Sequence, residues 1–156
     1  MQKGFQNSLK TGPILGFEVL AAAFEIHAIN IKKHTSDVMI SAAFVQAAKT
    51  VLKEANVRLM EPLMKLEINA EPEIVNELVQ DLLLKRGTIL DKQELTKSGL
   101  ILLSAQAPLT ELKDYSTQFR IVTSGKAYFG MELSHFEVMS SLEQNKAIKE
   151  ITGFEP

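Results

Sequence analysis

Glu61-Pro62-Leu63-Met64-Lys65-Leu66-Glu67-Ile68-Asn69-Ala70 decides the fold. Met64, Leu66, Ile68 and Ala70 alternate with Lys65, Glu67 and Asn69, which is the period of a strand with one buried face. Pro62 suits the entry to a strand, where no ladder N–H is required. Downstream, Pro72 fits the first turn of a helix. That helix places Ile74, Val75, Leu78, Val79, Leu82 and Leu83 on one side, and Gly87 ends it. Thr88 to Leu90 starts a second strand and Leu100 to Ala107 is a third. Thr110 is read as the cap of a second helix carrying Leu112, Tyr115 and Phe119. Gly125 turns the chain into a fourth strand with Ala127, Phe129, Met131 and Leu133 on one face. Residues 60–136 therefore read β-α-β-β-α-β. This is the ferredoxin-like order, an antiparallel sheet with its helices on one face. Ser140 and Ser141 precede a last helix that ends near Gly153.

The first third of the chain is less complete. Residues 1–11 read as a helix stopped at Thr11-Gly12-Pro13. Val19 to Ile31 has the alternation of a strand, with Phe24, Ile26 and Ala28 against Glu25 and His27. Lys32-Lys33-His34-Thr35 is a polar turn, and Ser36 caps a helix whose apolar stripe runs from Val38 to Leu52. Helix, strand and helix cannot close a sheet-based core alone. The fold class expected is thus α+β, a C-terminal ferredoxin-like βαββαβ domain preceded by an incomplete α-β-α piece. The organisation expected is residues 1–58, residues 59–139, and a C-terminal helix and tail over 140–156.

Composition narrows the chemistry. The 156 residues are 46% hydrophobic and 23% charged, as in a folded globular protein. A net charge of -2 gives no global basicity, so contact with nucleic acid has to come from local patches. With no cysteine there is no disulfide, thiolate metal site or thiol nucleophile. Apolar runs such as Val19 to Phe24 are too short for a bilayer, so no membrane partner is expected. The first residues lack the apolar core of a signal peptide.

The individual motifs mostly fail as catalytic sites. Ser124-Gly125-Lys126-Ala127 looks like the end of a phosphate-binding loop, but Arg120 stands where the first glycine belongs and Ala127 where Ser or Thr should follow the lysine. His27, His34 and His135 have no ligand-type neighbour at helical spacing, so no metal site is expected. Glu71/Glu73 and Glu77/Asp81 read as a solvated helix face. The third strand has no aromatic residue, which argues against base stacking on the sheet. Two basic spots remain: the turn Lys32, Lys33 and His34, and the helix-end residues Lys85, Arg86, Arg120 and Lys126. Exposed Lys and Arg bind phosphates. Cations at a helix C-terminus also relieve its dipole, which is the local structural alternative.

Taken in order, these motifs resemble the end of elongation factor G. Gln2-Lys3-Gly4-Phe5-Gln6 and Gly12-Pro13-Ile14-Leu15-Gly16-Phe17-Glu18-Val19 are similar to the late part of its domain IV, which has a ribosomal-protein-S5-like fold. Leu59-Met60-Glu61-Pro62-Leu63-Met64 is similar to the entry of domain V. Lys85-Arg86-Gly87, Pro108-Leu109-Thr110-Glu111, Tyr115-Ser116-Thr117-Gln118-Phe119-Arg120 and Thr123-Ser124-Gly125-Lys126-Ala127 continue it. The family has glycine where Asp114 stands, and Asp tolerates the left-handed turn this position needs. The family's translocases carry a histidine at the tip of domain IV. Here that loop is shortened to Ile31 to Ser36, and His34 does not align with the tip histidine. The loop, Val38 to Ala42 and Met131 to Ser134 are more similar to the second mitochondrial elongation factor G, the ribosome-releasing factor 2 branch.

The resemblance implies a C-terminal arm of a mitochondrial translational GTPase that recycles ribosomes together with ribosome recycling factor. It implies no catalysis and no cofactor in this chain, with GTP and Mg held by a GTPase domain elsewhere in the parent. Expected partners are the ribosome, through rRNA and stalk-base proteins, and the recycling factor, with the chain itself monomeric. Lys32, Lys33 and His34 would form the tip contact, and Lys85, Arg86, Arg120 and Lys126 the rRNA contact. Two alternatives stay open: a translocase arm, and a free-standing ferredoxin-like module binding a small ligand between helices and sheet.

Overall fold

The computed structural model describes residues 2–155. By backbone contacts the chain divides into two compact units, one of residues 60–139 and one of residues 1–59 with 140–156. The C-terminal helix, set apart as a tail in the sequence reading, thus groups with the N-terminal residues.

The 60–139 unit contains β1 (Met60–Ala70), a 3-10 turn (Pro72–Ile74), α3 (Val75–Leu84), β2 (Thr88–Leu95), β3 (Leu100–Pro108), a second 3-10 turn (Leu109–Leu112), α4 (Tyr115–Thr123) and β4 (Ala127–Val138). The sheet order is β2-β3-β1-β4 with every neighbouring pair antiparallel, as the ferredoxin-like reading requires. The alternation in β1 sets the register. Leu66 lies opposite Ala105, Ile68 opposite Leu103 and Ala70 opposite Ile101, and all of these side chains are buried. They meet Val75, Leu78 and Leu82 of α3 and Tyr115 and Phe119 of α4 in one core. A fully buried Leu or Ile contributes about 1.5–3 kcal/mol, so this core dominates the stability of the unit.

Three expectations need correction here. Leu83 is 56% exposed, so the buried stripe of α3 is narrower than its apolar run. Met131 and Leu133 are 43% and 53% exposed, since only Ala127 and Phe129 of β4 pack against the core. Thr110 caps no helix. It lies inside the second 3-10 turn, Lys113 is extended, and α4 begins only after Asp114, which is left-handed at φ 55. That left-handed Asp114 is the turn expected at this position. A bulge in β4 lies where the register passes from Met64↔Leu133 to Leu63↔His135.

The other unit holds α1 (Gln2–Leu9), α2 (Asp37–Glu54) and α5 (Ser141–Thr152). Gly4 lets α1 approach α2 closely, because a Cβ there would lie 2.7 Å from Ser41 Oγ and 2.9 Å from Ser41 O. Ser36 caps α2 through Met39 N, and Ser140 caps α5 through Glu143 N. The strand expected over Val19 to Ile31 is not formed. A strand exists only through hydrogen bonds to a neighbour, and no ladder partner for it lies among the described residues. Its apolar side chains stay largely in solvent, with Ile26 55% and Ile31 54% exposed. Two local ties shape its approach: Gly12 N donates to Phe17 O at 2.7 Å and Val19 N to Leu9 O at 2.7 Å. Phe24 packs edge-on against Phe5.

Candidate functional site

The basic residues singled out from the sequence fall into separate places. Lys32, Lys33 and His34 lie in an exposed turn ahead of α2. Thr35 closes it, donating from its N–H and its hydroxyl to Lys32 O at 3.1 and 2.8 Å. His34 takes a left-handed backbone at φ 80. The turn therefore has a fixed local shape with its side chains directed to water.

In the 60–139 unit the expected cluster of cations is split. Arg86 pairs with Glu61 at the start of β1, whereas Lys126 pairs with Glu71 and Glu73 just beyond its end. Ten residues of strand separate Glu61 from Glu71, roughly 33 Å at about 3.3 Å each. The two cations therefore mark opposite ends of the sheet.

Arg86 is the most constrained of them. Its Nη2 lies 2.5 Å from Glu61 Oε1 and its Nη1 3.1 Å from Glu61 Oε2, a two-pronged pair. Nη1 also lies 3.7 Å from Glu111 Oε1, and Thr110 Oγ1 donates to Glu61 Oε2 at 3.4 Å. Only 5% of the Glu61 side chain is exposed. A buried carboxylate needs such a partner, since its desolvation is otherwise uncompensated. In sequence Glu61 reads only as part of the stretch similar to the entry of domain V; the structure makes it the anchor of an ion pair. Its pairing 25 residues away leaves no local signal.

Backbone geometry explains why Arg86 sits there. From sequence, Gly87 ends α3. In the structure Arg86 is left-handed at φ 57, with Gly87 N donating to Leu82 O at 2.8 Å and Arg86 N to Leu83 O at 3.2 Å. These bonds form a Schellman ending. Glycine is needed one position later for space, because a Cβ at Gly87 would lie 2.6 Å from Leu82 O.

Lys85 turns toward α4. Its Nζ donates to Gln118 Oε1 at 2.9 Å, lies 3.7 Å from Asp81 Oδ1, and stands 5.8 Å from the centre of the Tyr115 ring. Only 18% of its side chain is exposed. The Tyr115 hydroxyl is buried and makes no hydrogen bond of good geometry. Burial pushes this phenol well above the usual tyrosine range, and the nearby Asp81 carboxylate adds to the shift.

Lys126 follows the left-handed pair Ser124 and Gly125. Its hydrogen bond to Glu73, with Glu71 adding, holds it above the usual lysine range. Two carboxylates on this lysine make a poor phosphate cradle, so the turn does not fit a nucleotide. Arg120 on α4 is exposed, and no ion pair holds it among the described residues.

A cleft of about 310 Å³ opens on the sheet face away from the helices, lined by Glu61, Arg86, Gln106, His135 and Glu137 among others. Beside it, Gln106 Nε2 donates to Ser134 Oγ at 2.9 Å, and Ser134 Oγ lies 3.0 Å from His135 Nδ1. No group of His, Asp or Glu among the described residues could hold a metal ion.

The family model for the elongation factor G C-terminus matches residues 58–147. The chain belongs to this family. Within it, the chain is similar to a Danio rerio protein named mitochondrial ribosome-releasing factor 2, at 35% identity over 98% of this chain and 20% of that protein. A Culex quinquefasciatus protein of the same name is 37% identical over 99% of this chain and 21% of its own length. The chain thus spans about a fifth of the length of these curated relatives. A crystal structure of a Thermus thermophilus protein superposes with a TM-score of 0.82 at 25% identity, covering 98% of this chain and 23% of that one. The elongation factor G resemblance, the ferredoxin-like α+β fold and the mitochondrial setting expected from sequence all stand on these matches.

Proposed function

We propose that this chain is the ribosome-contacting C-terminal region of a mitochondrial elongation factor G-like GTPase that acts in ribosome recycling. The observation that carries this reading is similarity to the ribosome-releasing factor 2 proteins over 98–99% of the chain, through both units. GTP and Mg would bind a GTPase domain of the parent, whose nucleotide state moves this region against ribosome recycling factor and an intersubunit bridge. Partners would be rRNA and stalk-base proteins together with the recycling factor, engaged by a monomer.

Geometry ranks the proposed contacts. Lys32, Lys33 and His34 are exposed in a turn of defined shape and suit the tip. Of the four cations singled out in the 60–139 unit, Arg120 is the exposed one that no ion pair holds among the described residues, and it suits an rRNA phosphate, with Lys126 half-exposed beside Glu73. Lys85 and Arg86 are engaged within the fold, so any phosphate contact from them would compete with Gln118 and Glu61. The small-ligand alternative expects an apolar pocket between helices and sheet. That space is filled by Leu66, Ile68, Leu78, Leu82 and Phe119.

The test uses the full-length factor with Lys32→Glu and Lys33→Glu. Subunit splitting with recycling factor should slow by roughly tenfold or more, as expected for removing phosphate contacts and adding like charge. An unchanged splitting rate would remove the tip assignment. Vigorous peptide synthesis by the unaltered factor on mitochondrial ribosomes would replace recycling with translocation.

A further inference from the structure

We infer that Lys85-Arg86 is a two-armed clamp that positions α4, and with it Arg120, rather than a pair of direct phosphate ligands. This rests on the proposed rRNA contact and deepens it by separating the residue that touches from those that hold. One arm is Arg86, which grips Glu61 through both guanidinium prongs and reaches Glu111 of the second 3-10 turn. The other arm is Lys85, which reaches across to Gln118 of α4 while Asp81 and the Tyr115 ring hold it in place. Gln118 is two residues before Arg120 on the same helix.

Each feature of the dipeptide serves that grip. A left-handed Arg86 directs consecutive side chains to different elements, at a backbone cost of about 1–2 kcal/mol for a residue with a Cβ. A residue chosen only to end a helix would be glycine, which avoids that cost. The planar fork matches the carboxylate in two places, which a lysine cannot do. Glu61 and Arg86 are then positioning residues for the RNA contact, and Arg120 is the residue that makes it.

Two measurements test this. The first is a melting cycle on this chain with Glu61→Gln, Arg86→Gln and the double variant. Each single change should lower Tm by about 10 °C, and the double should fall no further than the worse single, because the partners act as one unit. Arg86→Lys should recover less than half of the loss. Additive losses, or full recovery by lysine, would overturn the clamp. This readout does not depend on the ribosome, so it survives failure of the functional reading.

The second is the salt dependence of ribosome binding by the full-length factor. Arg120→Gln should lower the slope of log K against log salt by about 1, whereas Arg86→Gln should weaken binding at every salt concentration while leaving the slope unchanged, and unweakened binding would overturn the positioning role. A drop of about 1 for Arg86→Gln with unchanged melting would make Arg86 the phosphate ligand and overturn the assignment.

Discussion

At Tyr115 a buried hydroxyl without a good partner stands in the main core, where Phe119 and Phe129 pack on its ring. Removing an unsatisfied polar atom while keeping the ring costs little. Tyr115→Phe should therefore change stability by less than about 1 kcal/mol, and in the favourable direction if at all. Its pH behaviour is more distinctive. Burial, and then Asp81, raise the folded phenol above its ordinary value, so the unfolded chain ionises first. Stability is unaffected below about pH 10 and declines as pH rises beyond it, because only the unfolded state readily loses the proton. Urea melts at pH 9 and pH 11 should show a decline in the unmodified chain that is smaller in Tyr115→Phe; equal declines would place the titration elsewhere. Residue-scale legibility from sequence is uneven. The left-handed Asp114 is readable, because the position demands a turn and Asp tolerates it. The role of Glu61 is not, because a buried ion pair is made by two residues far apart in the chain.

Elements are most legible where period and burial agree. The alternation in β1 and β3 fixes both strands and their core faces, since each has one face against α3 and α4. The same rule overextends the buried face of β4, where Met131 and Leu133 keep the alternation beyond the reach of the helices. It fails over residues 19–31, because period describes which face could be buried and not whether a neighbouring strand exists. The end of α3 shows a second limit. Gly87 is essential there, but for space rather than for handedness, since the left-handed residue is Arg86. This separates two mechanisms experimentally. Gly87→Ala should cost about 2 kcal/mol or more, because the new methyl meets the Leu82 carbonyl and neither backbone can yield. Arg86→Gly should relieve the backbone yet still destabilise, through the orphaned Glu61. A tolerated Gly87→Ala in a chemical melt would show that the close approach is not obligatory.

Across the whole molecule the family is legible because motifs from both units occur in order, whereas the functional surface is legible only as a set of candidate cations. Charge alone cannot say which of them are free. Lys32, Lys33 and Arg120 face water, while Lys85, Arg86 and Lys126 each have carboxylate partners. One further property follows from the connectivity. The 60–139 unit is inserted into the chain of the other, and its first and last strands end side by side, with Met60 opposite Val138. A pull applied at the two ends of the chain would therefore reach this unit at neighbouring points. Its load would fall on the Met60–Val138 pair first and then on each rung of the β1–β4 ladder in turn, as a zipper opens. Ladders loaded one rung at a time yield at lower force than ladders loaded all together. Single-molecule stretching from residues 59 and 140 should thus give a markedly lower unfolding force than stretching from residues 59 and 127, which loads the antiparallel β1–β4 ladder in shear. For a region proposed to transmit a push, this makes the ferredoxin-like unit weak in tension at its root, where β1 and β4 end together.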